Sequence, residues 1–121
     1  DVSVNREARV MVIRGAGDSA FCAGADISEF EEVRRDRAST IAYDAAYNAC
    51  EAAIANVPVP TIAAVNGNCF GGGFGIAMSC DLRFARDGVR FAVPAAKLGL
   101  GYNFESVRSL VARLRGHFRM R

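Results

Sequence analysis

The stretch Asn66-Gly67-Asn68-Cys69-Phe70-Gly71-Gly72-Gly73-Phe74-Gly75 decides the fold. An apolar run, Thr61-Ile62-Ala63-Ala64-Val65, leads into it and reads as a buried strand. A run of small residues, Ile76-Ala77-Met78-Ser79-Cys80, leads out and is helix-capable. Three consecutive glycines at a strand-to-helix turn leave bare backbone N–H groups at the positive end of a helix. Such a turn suits a phosphate, a carboxylate or the oxygen of a polarised carbonyl.

Upstream, Val10-Met11-Val12-Ile13 is a short apolar strand that ends in the turn Arg14-Gly15-Ala16-Gly17-Asp18. Gly15-x-Gly17-x-x-Ala20 resembles a dinucleotide fingerprint only superficially. No helix opens at its third position, and a charged helical stretch, 29–37, stands where the acid closing a second strand is needed. Ala23-Gly24-Ala25-Asp26 is a second tight turn, and Asp26 can cap a helix starting near Ile27 or Ser28. Between Thr40 and Val57, Ala42, Ala45, Ala46, Ala49 and Ala53 recur at helical spacing, extended by Ile54 and Val57. That stripe predicts close packing on a neighbour. Pro58-Val59-Pro60 ends the helix. Strand, helix and strand in succession predict a right-handed parallel crossover.

Downstream, Asp81-Leu82-Arg83-Phe84-Ala85 and Val89-Arg90-Phe91-Ala92-Val93 read as strands separated by the turn Arg86-Asp87-Gly88. Residues 95–102 read as a loop with two glycine hinges. Ser106 to Leu114 reads as a helix with Val107, Leu110, Val111 and Leu114 on one face.

The 121 residues make one domain at most, and 51% apolar with 23% charged residues fits a soluble globular chain. No apolar run approaches the ~18 residues of a membrane span. No basic segment followed by an apolar one marks a secretory leader. The chain opens on Asp1 rather than Met, as a processed, trimmed or partial product would. Arg108, Arg113, Arg115, Arg119 and Arg121 make the end basic, but one aromatic, Phe118, and no binding motif argue against nucleic acid. Cys22, Cys50, Cys69 and Cys80 form no C-x-x-C pair, so a reduced, cytoplasmic protein without a zinc site is expected. The only histidine, His117, lies in the tail and no G-x-S-x-G occurs, which excludes a Ser-His-Asp mechanism. No Lys-Ser/Thr follows Gly73, which excludes a P-loop. What remains is two glycine turns, at Gly24 and at Gly71–Gly73. N–H donors from two such turns can converge on one oxygen.

The blocks Phe21-Cys22-Ala23-Gly24-Ala25-Asp26-Ile27, Pro60 to Gly67, Gly71-Gly72-Gly73, Cys80-Asp81 and Phe91 to Leu100 together resemble the enoyl-CoA hydratase/isomerase (crotonase) family. The resemblance implies an α/β fold with a ββα-spiral core, incomplete at both ends. Its motifs span 10–114, and an atypical tail follows over 115–121. It implies an acyl-CoA substrate and an enolate oxygen held by two backbone N–H groups, those of Ala25 and Gly72. It places Ala23, Ala25, Asp26, Ile27 and Ser28 along the CoA moiety, with Asp26 also readable as a plain helix cap. Coenzyme A enters as part of the substrate. No further cofactor or metal is implied, and a homo-oligomer, trimer or hexamer, is. Hydration of a 2-enoyl-CoA is the family default, in fatty acid metabolism.

Two positions depart from the pattern. Hydratases carry glutamates where this chain has Gly75 and Ala95, and neither can transfer a proton. The loop carrying Tyr102, Asn103 and Glu105 offers replacements, although Tyr102 can equally pack and Glu105 equally start a helix. Lys97 is expected to face solvent, with a CoA phosphate contact as the minor alternative. The alternatives to hydration are therefore an isomerase or decarboxylase working through Tyr102 or Glu105, or a catalytically inactive CoA-binding fragment or assembly subunit.

Overall fold

A computed structural model of the chain describes residues 7–102 and 104–115. The strands alternate between two three-stranded parallel sheets. β1 (Met11–Arg14), β3 (Thr61–Val65) and β5 (Leu82–Ala85) form one sheet in the order β1-β3-β5. β2 (Ala20–Cys22), β4 (Asn68–Phe70) and β6 (Phe91–Ala92) form the other in the order β2-β4-β6. Each pair of strands is followed by helix: α1 (Phe30–Val33) and α2 (Arg37–Ala55), then α3 (Gly72–Ser79), then α4 (Phe104–Arg115). The unit strand-strand-helix thus repeats three times. The expected crossover is present as parallel pairing of Met11 with Thr61 and Ile13 with Ala63.

The core lies where the two sheets and α3 meet. Phe21, Ala63, Val65, Cys69, Ala77 and Cys80 are buried there, and Ile13, Ile54, Phe74 and Ile76 pack against them. At its edge, buried Thr61 is locked to Asp81. The Asp81 carboxylate accepts from Thr61 N–H and Thr61 Oγ1, both at 2.8 Å, and Asp81 N–H donates back to Thr61 Oγ1 at 2.8 Å. These bonds hold the Asp81 carboxyl below its ordinary value of 3.8. Asn66 ties the first glycine turn to β3: its Oδ1 accepts from Gly15 N–H at 3.2 Å and its Nδ2 donates to Gly17 O.

Several expectations change. The alanine stripe of α2 faces outward: Ala42, Ala45, Ala46, Ala49 and Ala53 are exposed, while Tyr43, Tyr47, Glu51 and Ile54 turn inward. Rings and an isoleucine remove more apolar surface from water than alanine methyls do, so they decide which face packs. β2 and β4 form inside stretches that read as turns, and each has only three residues. β6 keeps two residues of the expected strand 89–93, because β4 offers no longer partner and Val89 N–H closes a turn on Arg86 O. Residues Ala95–Leu98 form a 3₁₀ turn rather than a loop. The last helix opens earlier than expected, at Phe104.

Among the described residues nothing covers one face of the β1-β3-β5 sheet. Val12 and Leu82 both lie level with Ile62 in the ladder, and Phe84 is two residues along. Val12, Leu82 and Phe84 are each more than half exposed, at 53%, 51% and 64%.

Candidate functional site

The two glycine turns meet. β2 delivers Ala23-Gly24-Ala25, with Gly24 at φ +108°, and β4 delivers Gly71, the N-cap of α3, at φ +52°. Both values lie where side chains are disfavoured, which is why glycine stands at these two corners. A Cβ built on Gly24 would lie 3.6 Å from Gly72 N, and one built on Gly72 would lie 4.0 Å from Ala25 N. Gly72 occupies the first turn of α3, whose leading N–H groups have no partner inside the helix. Neither Ala25 N–H nor Gly72 N–H donates to any group among the described residues. Both residues line one cavity of about 200 Å³.

The cavity wall opposite the turns comes from α1 and α2. Arg34 lies over the rings of Phe30 and Tyr43, at 5.4 and 4.9 Å from their centroids, and its Nη2 pairs with Asp44 at 3.3 Å. Its Nε is buried without a partner among the described residues. A third wall consists of Val93, Pro94, Ala95 and Leu100, with Tyr102 beside them.

Tyr47 closes the floor next to α3. Its ring atom Cε2 would lie 3.2 Å from a Cβ on Gly72. Its hydroxyl donates to Glu51 Oε1 at 2.5 Å. A Cβ built on Gly75 would overlap both Tyr47 Oη and Glu51 Oε1, so these two groups fill the space a side chain there would need. Burial, then the hydrogen bond to Glu51 and that residue's charge, push the Tyr47 phenol well above its ordinary value of 10.0. Tyr102 interacts with both and is raised too, by burial first and then by Glu51. Beneath the turn, burial pushes the Cys69 thiol up to about 11, so it supplies no thiolate nucleophile at neutral pH.

The structure therefore brings Ala23, Ala25, Ile27, Gly72, Ala95 and Tyr102 to one cavity. Asp26 and Ser28 face each other instead: the Asp26 carboxylate accepts from Ser28 N–H at 2.9 Å and Ser28 Oγ at 2.6 Å, capping a 3₁₀ turn. Those bonds lower the Asp26 pKa below its ordinary 3.8, with the Ser28 hydroxyl the larger cause. Lys97 is exposed and lies off the cavity wall. Glu105 falls in the first turn of α4, but its side chain, like Asn103 and His117, lies outside the described residues. Among the described residues no group of three His, Cys, Asp or Glu could hold a metal ion.

Sequence reasoning missed the contribution of α2. Tyr43, Tyr47 and Glu51 recur every four residues, one helical turn apart, and that spacing was the available signal. The alanine stripe beside it masked them.

Comparison with known proteins agrees with the architecture. The family model described as enoyl-CoA hydratase/isomerase matches residues 1–118. A short-chain-enoyl-CoA hydratase of Clostridium acetobutylicum is 37% identical over 112 residues, covering 91% of this chain and 41% of the relative. An enoyl-CoA hydratase/isomerase family structure from Hyphomonas neptunium superposes with a TM-score of 0.85 at 40% identity, covering 92% of this chain and 42% of that one. An enoyl-CoA hydratase/carnitine racemase structure from Magnetospirillum magneticum gives 0.87 at 33% identity, with coverage of 92% and 42%. The chain thus spans about two fifths of the length of these relatives. With its sequence matched almost end to end and its alternating sheets shared with solved relatives, the chain belongs to the enoyl-CoA hydratase/isomerase family.

Proposed function

We propose that the chain binds an acyl-CoA thioester with its carbonyl oxygen between Ala25 N–H and Gly72 N–H, and adds water across a 2-enoyl-CoA. The observation carrying this is the convergence of two unpartnered N–H groups, from separate turns, on one cavity. As the thioester becomes an enolate, its oxygen gains charge. Donors already aimed at that oxygen stabilise the charged state more than the ground state. The first turn of α3 adds the positive end of its dipole. The acyl chain then lies along the walls from α1, α2 and residues 93–100, and the stretch Ala23 to Ser28 runs along the CoA moiety. Tyr102 and Glu105 remain candidates from the loop before α4.

Among the described residues no helix is long and apolar enough to cross a membrane. A cytoplasmic setting and a homo-oligomer belong to the same proposal. The four free cysteines support the first. The bare face bearing Val12, Leu82 and Phe84 supports cover by further polypeptide.

The test uses calorimetric titration of the chain with crotonyl-CoA, together with loss of enoyl-thioester absorbance. An amide-to-ester exchange at Gly72 deletes one donor and adds no atoms, whereas a side chain there would meet Tyr47 Cε2 at 3.2 Å. Binding should persist while turnover falls about 10²–10³-fold, the usual effect of losing one such donor. Unchanged turnover in this variant would refute the assignment.

A further inference from the structure

We propose that Tyr47 and Glu51 form the proton-transfer pair of this cavity, with Tyr47 touching the substrate and Glu51 holding the proton behind it. This rests on the acyl-CoA reading above. Four positions apart on α2, the two side chains share one face of the helix. Their 2.5 Å bond is as short as a phenol donating to a charged carboxylate becomes. Tyr47 lines the same cavity as Ala25 and Gly72, with its ring against Gly72. Glu51 lies behind it, in a small recess shared with Gly75, Ser79 and Tyr102. The missing side chain at Gly75 is what admits them both.

Among the described side chains, two other carboxylates close to the site are already engaged. Asp44 is paired with Arg34, and Asp26 caps its own turn. Glu51 is therefore the carboxylate, among the described residues, that a hydrogen bond links to the cavity floor next to the donor pair.

The chemistry closes without any further reactant. The water oxygen bonds to the β-carbon of the enoyl thioester, and the C=C electrons move to the thioester oxygen held by Ala25 and Gly72. The water's proton passes to Tyr47 Oη as the Tyr47 proton passes to Glu51. In the second step Glu51 returns its proton to Tyr47, and Tyr47 gives its own to the α-carbon. One water is added, nothing is oxidised or reduced, and both residues are regenerated. The strongly raised Tyr47 pKa suits a relay that passes protons on without resting as a tyrosinate.

Tyr47→Phe and Glu51→Gln test the pair, each read by crotonyl-CoA hydration and by α-deuterium uptake into butyryl-CoA in D₂O. Tyr47→Phe keeps the ring packing if Glu51→Gln perturbs folding, and circular dichroism checks both. The expected result is a fall in kcat and in exchange of about 100-fold or more, with KM and acyl-CoA Kd held within about threefold. Glu51→Asp should recover part of the rate, which loss of a merely structural contact would not predict. A parent chain that binds acyl-CoA without hydration or exchange overturns the pair and spares the binding reading. So do variants that match the parent. A parent that binds no acyl-CoA overturns the binding reading and the pair together.

Discussion

A Cβ built on Gly73 would sit 2.5 Å from the Cys22 carbonyl oxygen and 2.5 Å from Cys22 Cβ; one built on Gly101 would meet nothing within 4 Å among the described residues. Gly73 lies in the first turn of α3 and Gly101 in the segment before α4, and different forces hold them. At Gly73 the neighbouring strand has moved into the space a side chain would take. At Gly75 two side-chain ends have done the same. Around Gly101 the space is open, and beside it Gly99, at φ +68°, serves a left-handed corner at the end of the 3₁₀ turn. Glycine therefore marks a tight fit in α3 and a bend in the segment before α4.

Substitutions can break this contrast, and they rank by what the new atoms strike. Gly73→Ala should be the most damaging, because a backbone carbonyl cannot swing aside; about 3 kcal/mol of stability should be lost in urea unfolding. Gly75→Glu should cost less, about 1–2 kcal/mol, since the atoms it displaces are the ends of Tyr47 and Glu51. Adding Glu51→Ala to Gly75→Glu should recover part of that loss, and a double-mutant cycle on the same unfolding midpoints measures the coupling. Equal costs at Gly73 and Gly75 would erase the distinction between backbone and side-chain crowding.

A smaller effect is expected at the far end of α3, where Asp81 locks Thr61. The folded pKa of Asp81 lies below the ordinary 3.8, so its stabilising contribution is fully present above that value and is lost as pH falls beneath it. Acid unfolding of Asp81→Asn should therefore be less steep than that of the parent below about pH 3.8. Asp26 and Asp36 are also lowered, by caps to Ser28 and Ser39, so the slope should shrink without vanishing. The smallest effect is predicted for Gly101→Ala, which should shift the unfolding free energy by no more than about 0.5 kcal/mol.

The sequence exposed the local demands and hid the long-range ones. Thr61–Val65 announces a buried strand by its own composition, and Gly71 to Gly73 announce a turn that admits no side chain. The two glycine turns could be read from the residues themselves, whereas Ala25 and Gly72 as the donors followed only from the family resemblance. β2 and β4 could not, because three residues show no periodicity and each is extended only through its parallel partner. Helix α2 misled for a related reason. Its existence follows from spacing, and the structure adds an Asp36–Ser39 capping box, but the face it buries depends on what lies opposite. A cavity with a polar floor selected Tyr47 and Glu51 over a clean alanine stripe. Glu51 carries no local mark of its surroundings, since its neighbours come from α3 and from Tyr102.

The alternation of strands between two sheets also shapes how this chain must fold. Among the described residues no strand pairs with the one that follows it: β1 waits for β3, and β2 waits for β4. β1 and β2 therefore wait for their ladder partners until residues 61–70 have been made. Among the described residues no hairpin shelters them, and each ladder closes a long loop. Such non-local pairing slows folding. α2, with its own capping box and 19 residues, can form without waiting for those partners.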